Sequence, residues 1–212
     1  IAEVSRIVEY AAKKGIQLLD TASAYGDSEA VLGKALPERN SFSIVTKLPP
    51  VRKKAVGLND VNFIDKAFKE SLRNLETDKI YGLLVHHAED ILVDGGHYIF
   101  DLMQRYKDEG LVKKIGVSVY DREALDLILE RFPIDLIQIP LNVFDQRLLM
   151  DGYLSKIKQL GIEVHVRSVF LQGLLLMTPE ELPVGLEAMT DHLSAYRAHL
   201  ASHELSDIEA AL

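Results

Sequence analysis

Apolar residues follow two alternating patterns along the chain. In the first, they recur three or four positions apart, as Val4, Ile7, Val8 and Ala11 do, which predicts amphipathic helices. In the second, short runs are almost continuously apolar, which is typical of strands that are buried on both faces. The predicted helices cover residues 2–14, 28–36, 62–75, 98–109, 122–131 and 147–160, and a final helical region covers 185–212 with a break near 202–206. The predicted strands cover residues 16–20, 41–47, 80–86, 113–119, 135–141 and 162–168, and 170–183 is a predicted loop.

The strict alternation of helices and strands predicts an α/β fold with a parallel sheet covered by helices. A doubly wound sheet and a (β/α)8 TIM barrel both fit this order. Each predicted strand ends in polar groups, namely Asp20, Lys47, His86, Ser118, Gln138 with Asn142, and Arg167 with Ser168. A barrel builds its active site from the ends of several strands, whereas a doubly wound sheet usually has a glycine-rich first turn. The chain has no Gly-x-Gly-x-x-Gly motif and no P-loop, so we favour the barrel.

The six predicted strands are two fewer than a (β/α)8 barrel requires. The chain opens on a predicted helix, and its last predicted strand is followed by a loop and helical residues. We therefore expect residues 1–212 to form a single, partial barrel domain without the first and last strands, as an internal portion of a longer chain. The alternative is a truncated natural protein whose open sheet edges are covered by some other contact.

Composition restricts the partners and the chemistry of the protein. Apolar residues make up 48% and charged residues 26% of the 212 positions, which is ordinary for a globular protein. The net charge of −8 argues against nucleic acid as a partner, since phosphates require a basic surface. The lack of cysteine excludes disulfides and thiol nucleophiles and fits a reducing, cytoplasmic location. No apolar run reaches the roughly 18 residues of a membrane span, and the histidines show no metal-ligand spacing, so we expect neither a membrane segment nor a metal.

The stretch from Asp20 to Tyr25 is the first candidate for chemistry. An apolar run ends in Asp20 and a short loop then carries Tyr25, so an acid and a phenol lie where a buried strand meets solvent. Lys47 and His86 close the next two predicted strands, and we expect them to reach the same edge of the sheet. His86 is favoured over the histidine that follows it, because neighbours on a strand point to opposite faces. Glu89 and Asp90, which follow His86, could contact the substrate, but a solvated loop position is favoured for both.

Several motifs occur in the order in which the aldo-keto reductase family has them. The first resembles the signature of that family and comprises Leu18-Leu19-Asp20-Thr21-Ala22 and Tyr25-Gly26-x-Ser28-Glu29-x-x-Leu32-Gly33-x-Ala35-Leu36. The next are Lys47 and the segment Ser71-Leu72-x-x-Leu75-x-x-Asp78, which leads into Leu83-Leu84-Val85-His86. Segments similar to the family's fifth, sixth and seventh strands are Lys113-Lys114-Ile115-Gly116-Val117-Ser118, Gln138-Ile139-Pro140-Leu141-Asn142, and Arg167-Ser168 through Gln172-Gly173-Leu174-Leu175. The match runs from about Gly15 to Leu175.

The resemblance implies a (β/α)8 barrel that binds a nicotinamide cofactor, NADPH (NADP) more often than NADH, and reduces an aldehyde or ketone to an alcohol or performs the reverse oxidation. It assigns a catalytic tetrad of Asp20, Tyr25, Lys47 and His86. A free tyrosine, with a pKa of about 10, is a poor acid at neutral pH, and a nearby ammonium such as Lys47 lowers that pKa by favouring the phenolate. Asp20 would keep Lys47 charged and oriented, Tyr25 would be the general acid, and His86 would donate a hydrogen bond to the substrate oxygen.

The resemblance also assigns contacts to the cofactor. Ser118 and Gln138 would bind the nicotinamide amide. Arg167 stands where many family members place a stacking aromatic ring, and its guanidinium plane can also stack. The residues that would line the pyrophosphate are Ser168, Leu171, Gln172 and Gly173. The implied partner is a small carbonyl compound.

Two other functions stay open from the sequence. The chain could be a catalytically weak, cofactor-binding barrel with a regulatory or scaffold role, although such a barrel has no need of the pairing between Asp20 and Lys47. It could also be a lyase in which Lys47 forms a Schiff base with the substrate. That chemistry needs a neutral amine, whereas an ion pair with Asp20 would keep Lys47 charged.

Overall fold

The structure is a computed structural model that describes residues 1–36 and 42–212. Its strands are β1 (Leu18–Asp20), β2 (Ser43–Leu48), β3 (Ile80–Val85), β4 (Val112–Ser118), β5 (Leu136–Pro140) and β6 (Glu163–Arg167). Its α-helices are α1 (Ala2–Lys13), α2 (Ser28–Ala35), α3 (Leu58–Asn74), α4 (His97–Asp108), α5 (Arg122–Arg131), α6 (Arg147–Met150), α7 (Tyr153–Gln159), α8 (Thr190–Ser202) and α9 (Asp207–Ala211). Short 3-10 helices cover Ala88–Ile91, Leu171–Leu176, Pro179–Glu181 and Glu187–Met189. The start of the second predicted strand, at residue 41, lies outside the described residues.

The six strands form one sheet in the order β1-β2-β3-β4-β5-β6, and each pair from β1 to β5 is parallel. Strand order that follows chain order is the order of a barrel, whereas a doubly wound sheet reverses its order at a switch point. Parallel strands joined through helices all end at the same edge of the sheet. The polar residues that follow the strands are therefore brought to one edge.

The central strands are buried on both faces, as the continuous apolar runs predict. Leu83, Leu84, Ile115, Val117 and Ile137 are all fully buried. Such burial is expected of a parallel sheet whose crossover helices cover it. Polar side chains with almost no exposure in these strands are consequently unusual, and they include Lys47 near the end of β2 and Gln138 in the middle of β5.

Several elements differ from the predictions, three of them as follows. Helix α3 begins at Leu58 rather than at residue 62. At its start, the side chain of Asp60 accepts a hydrogen bond of 3.0 Å from the N–H of Gly57. The predicted helix 147–160 is divided into α6 and α7 at Gly152, whose φ of +76° is not helical. The loop predicted over 170–183 contains two 3-10 helices. The predicted break near 202–206 is confirmed, and Ser206 caps α9.

The described residues divide into two compact units. The first unit comprises Ile1–Gln138 with Ile157–His165, and the second comprises Ile139–Lys156 with Val166–Leu212. The second unit has an apolar cluster of its own, formed by Leu175, Leu193, Tyr196 and Leu200. A single domain over residues 1–212 stays a prediction.

Candidate active site

Asp20 and Lys47 meet because of the register of β1 and β2. Asp20 pairs with Val45, so Lys47 lies two residues further toward the C-terminal end and on the same face. The loop after β1 continues along β2, where the N–H of Thr21 donates to the carbonyl oxygen of Val45 at 2.9 Å. Farther on, the Ser23 hydroxyl donates to the carbonyl oxygen of Lys47, also at 2.9 Å. These bonds hold the end of β1 and the loop that follows it against the side of Lys47.

The ammonium of Lys47 is buried, and its contacts include two oxygen atoms. Its Nζ donates to Asp20 Oδ2 at 2.6 Å and to the carbonyl oxygen of Thr21 at 2.8 Å. A charged group out of contact with water is tolerated only when it is paired and hydrogen-bonded, and both conditions are met here. The result is a fixed positive charge at the C-terminal end of β2.

Tyr25 and His86 lie beside this charge. Lys47 Nζ is 5.1 Å from the centroid of the Tyr25 ring, and the rings of Tyr25 and His86 meet edge to face with their centroids 5.7 Å apart. Tyr25 is half exposed, so solvent or a ligand can reach it. The four residues predicted to form the catalytic tetrad are thus neighbours in the structure.

The loop that carries Tyr25 is fastened at its far end by two side-chain hydrogen bonds. Glu29, on the first turn of α2, is buried and accepts a 2.6 Å hydrogen bond from the hydroxyl of Thr46. The hydroxyls of Thr21 and Ser28 are 2.9 Å apart. Ser28 and Glu29 belong to the segment that resembles the family signature, and no role was predicted for their side chains. Glu29 holds the start of α2 against Thr46, the residue that precedes Lys47, and Ser28 holds it against Thr21.

Ser118 and Gln138, the two residues predicted to bind the nicotinamide amide, are neighbours of the tetrad. They are register partners on β4 and β5, and the Ser118 hydroxyl donates to Gln138 Oε1 at 3.3 Å. Gln138 Nε2 in turn donates to Asp20 Oδ1 at 3.0 Å. The first unit therefore places six of the predicted site residues in one connected group. The contact between Gln138 and Asp20 was not predicted, since it joins residues 118 positions apart.

The five other predicted cofactor residues belong to the second unit and are described by themselves. The Arg167 guanidinium donates to the hydroxyl of Ser168 at 3.4 Å, and the carbonyl oxygen of Ser168 accepts from Asn142 Nδ2 at 3.3 Å. Four of the five lie in or next to a turn with positive φ, at Ser168 (61°), Leu171 (47°), Gln172 (57°) and Gly173 (95°). Residues other than glycine rarely adopt this conformation, and such strained turns are concentrated at functional sites.

The first-unit group is suited to moving a proton next to a fixed positive charge. A phenol, an imidazole and a buried ammonium that is held by a carboxylate are the elements of general acid–base catalysis with electrostatic support. Over residues 1–36 and 42–212, no three His, Asp or Glu side chains come together in a way that could hold a metal ion. In the same ranges no helix has the length and apolar character needed to cross a membrane.

Comparison with known proteins gives the same family as the motifs. The family model described as "Aldo/keto reductase family" matches residues 2–207. The chain is 30% identical over 148 residues to the aldo-keto reductase YhdN of Bacillus subtilis, with 66% of this chain and 44% of that protein covered. It is 31% identical over 162 residues to the oxidoreductase YdhF of Escherichia coli, with 70% and 54% covered. The chain thus spans about half the length of these relatives.

Solved structures of this family share the fold. The holo form of aldo-keto reductase AKR11C1 from Bacillus halodurans superposes with a TM-score of 0.69 at 26% identity, covering 85% of this chain and 61% of that one. An aldo/keto reductase from Brucella melitensis has a TM-score of 0.61 at 29% identity, covering 78% and 63%. The predicted fold class is confirmed, since six parallel strands in chain order, alternating with helices, are part of a (β/α)8 barrel. The chain therefore belongs to the aldo/keto reductase family.

Proposed function

We propose that this chain carries the catalytic centre of an NAD(P)H-dependent reductase of aldehydes or ketones, with Tyr25 as the general acid. The observation that carries the proposal is the buried Lys47 ammonium, which is held at 2.6 Å by Asp20 and lies 5.1 Å from the Tyr25 ring. A fixed positive charge beside a phenol favours the phenolate and so makes the phenol a stronger acid. This is the property that protonation of a carbonyl oxygen during reduction requires.

The proton path follows from the positions of the side chains. When bound, the nicotinamide supplies the hydride that reduces the carbonyl carbon. Tyr25 releases its hydroxyl proton to the oxygen of the carbonyl, which becomes the alcohol oxygen, and Tyr25 is left as a phenolate next to the Lys47 ammonium. Because Tyr25 is half exposed, solvent can return a proton to it. In the reverse oxidation, the phenolate takes the proton of the alcohol.

The other members of the tetrad act through position and charge. Asp20 and the carbonyl oxygen of Thr21 hold the ammonium of Lys47 in place. The ammonium therefore does not have to move to stabilise the charge that forms on Tyr25 during the reaction. His86 lies against the edge of Tyr25, where its ring can donate a hydrogen bond to the same substrate oxygen and orient the carbonyl.

The cofactor contacts are part of the proposal. Ser118 and Gln138 offer hydroxyl and amide groups next to Asp20, which suit the carboxamide of a nicotinamide. We assign the pyrophosphate to Ser168, Leu171, Gln172 and Gly173, and the stacking position to Arg167, on the family resemblance. NADPH rather than NADH is proposed on the same ground, and the related protein from Klebsiella pneumoniae was solved with NADP and acetate. A cytoplasmic location remains a prediction of the cysteine-free sequence.

The experiment is a fluorescence titration of the purified full-length protein with NADPH and with NADH, followed by reduction of a reactive aldehyde. Binding with consumption of NADPH is the expected result. Binding without turnover over a panel of aldehydes and ketones would favour the regulatory barrel instead. The ion pair of Lys47 with Asp20 counts against a Schiff-base lyase, and borohydride trapping of a carbonyl substrate on Lys47 would overturn our assignment of that residue.

A further inference from the structure

Gln138 connects the proposed tetrad with Ser118, the other residue proposed to bind the nicotinamide amide. Its Nε2 donates to Asp20 Oδ1 at 3.0 Å, while the other oxygen of Asp20 accepts from Lys47 at 2.6 Å. Its Oε1 accepts from the hydroxyl of Ser118 at 3.3 Å. Gln138 and Ser118 are each only 2% exposed. The chain of contacts therefore runs from Ser118 through Gln138 and Asp20 to Lys47, and it ends beside Tyr25.

We infer that Gln138 is a positioning residue for the catalytic acid, which holds the Asp20 carboxylate so that Lys47 stays beside Tyr25. This inference rests on the proposed function, in which Gln138 is otherwise only a contact to the nicotinamide amide. It gives the same amide a second task, and it links occupancy of the cofactor position to the orientation of the tetrad.

The burial of the partners shows why Asp20 needs a second anchor. The side chain of Asp20 is 34% exposed, whereas that of Lys47 is 1% exposed. An exposed carboxylate can rotate toward water, and this rotation would take Oδ2 away from the ammonium. Gln138, which is buried and on a different strand, donates to Asp20 Oδ1, whereas Lys47 donates to Asp20 Oδ2. Both oxygens of the carboxylate are therefore held, and its plane is fixed.

Gln138 can keep this contact while it binds a nicotinamide amide. A glutamine side chain has two N–H donors and an oxygen with two lone pairs. Asp20 uses one donor and Ser118 uses one lone pair. Within residues 1–36 and 42–212, one donor and one lone pair are left over, and they match the oxygen and the NH2 of a carboxamide. The residue therefore fits the cofactor amide without releasing Asp20.

The test compares Gln138→Met with Ser118→Ala in the full-length protein. Met has nearly the length of Gln but cannot donate to Asp20, whereas Ser118→Ala removes a neighbour of Gln138 and leaves the donor to Asp20 in place. The direct readout uses tyrosine labelled with 13C at Cζ in the protein without cofactor, and Tyr25→Phe assigns the Tyr25 signal. The charged or titratable groups that face Tyr25 in the described part of the chain include Lys47, with Asp20 behind it, and, across the ring edge, His86.

If Gln138 positions the ammonium, Gln138→Met raises the pH at which Tyr25 ionises, and Ser118→Ala does not. At saturating NADPH, Gln138→Met also lowers kcat by about tenfold. This factor corresponds to about 1.4 kcal/mol of lost transition-state stabilisation. An unmoved Tyr25 titration in Gln138→Met, with only NADPH binding weakened, would overturn the inference and leave Gln138 as a cofactor contact. A shifted titration in a protein that reduces no carbonyl would instead overturn the proposed function and leave the positioning role intact.

Discussion

The Lys47 ammonium lies 2.6 Å from the Asp20 carboxylate, and the two side chains differ sharply in exposure. Lys47 is 1% exposed and Asp20 is 34% exposed. A charge that loses its partner inside the protein cannot be compensated by water, whereas one at the surface can. The two halves of this ion pair should therefore contribute unequally to stability, although both belong to the proposed tetrad.

We predict that Asp20→Asn destabilises the protein more than Lys47→Met does. Asp20→Asn leaves a buried ammonium without its carboxylate and should lower the free energy of unfolding by about 2–4 kcal/mol. Lys47→Met leaves a carboxylate that water and Gln138 can solvate, and should cost about 1 kcal/mol. Urea unfolding of the two variants measures the difference. The double variant should recover most of the loss of Asp20→Asn, and a larger cost for Lys47→Met would contradict the assignment of burial.

A second cluster of charged side chains lies in the first unit, away from the proposed tetrad, and it connects strands of the sheet. Glu163 on β6 accepts hydrogen bonds from the hydroxyl of Tyr81 at 2.6 Å and from Lys114, and its other oxygen is 2.6 Å from His165 Nε2. Burial alone would raise the pKa of Glu163, but the hydrogen bonds from Lys114, Tyr81 and His165 outweigh it and lower the pKa to about 2. The cluster joins β3, β4 and β6.

This lowered pKa predicts a specific loss of stability in acid. The folded pKa of about 2 lies below the ordinary value of 4.5, so the unfolded state binds the proton more readily. The contribution of Glu163 is complete above pH 4.5 and is lost as the pH falls toward 2. After allowance for solvent screening, it should amount to about 1–2 kcal/mol. The difference in unfolding free energy between wild type and Glu163→Gln should shrink over this window. Exposed Glu9 on α1 is the matched control, since Glu9→Gln should show no such change.

Gly116 on β4 is predicted to tolerate no side chain. An added Cβ would lie 1.6 Å from the carbonyl oxygen of Leu136 on the paired strand β5. Backbone atoms in the centre of a sheet cannot move aside, so Gly116→Ala should cost 3 kcal/mol or more, roughly the upper range for single substitutions. Gly57 has open space around its Cβ position and a φ of −117°, so Gly57→Ala should cost less than about 1 kcal/mol. Thermal unfolding distinguishes the two, and equal melting temperatures would contradict the register of β4 and β5.

The fold, and the proximity of three residues of the proposed tetrad, could be predicted from the sequence for the same reason. Parallel strands that are buried on both faces appear as apolar runs, and the residue that ends each run lies at the catalytic edge of a barrel. Asp20 is the last residue of β1, Lys47 is the last but one of β2, and His86 directly follows β3. The family motifs then supplied the order and the roles.

The contacts that connect and support these residues could not be predicted, because they join distant segments through particular side-chain directions. Gln138 was expected to bind a cofactor, not to donate to Asp20. Asp90 was expected to be a solvated loop residue, and this was wrong. It is 2% exposed and accepts the backbone N–H groups of Val51 and Arg52 at 2.7 and 2.8 Å, because the loop after β2 folds over the loop after β3. The sequence around Asp90 shows that the residue is polar, but it does not show that residues 51 and 52 cover it.

The central claim is that a hydride is delivered to a carbonyl carbon at this site while Tyr25 supplies the proton. The most direct measurement uses NADPH doubly deuterated at C4 of the nicotinamide with an aldehyde, and follows the label in the alcohol by mass spectrometry. The control variant is Tyr10→Phe, which alters a surface tyrosine that also lies beside a lysine, Lys14.

Wild type and Tyr10→Phe should yield alcohol with one deuterium on the former carbonyl carbon. Tyr25→Phe should bind NADPH almost unchanged and form this product at least about 100-fold more slowly, the lower range for loss of a general acid. Unlabelled alcohol, or labelled alcohol formed by Tyr25→Phe at the wild-type rate, would contradict the account.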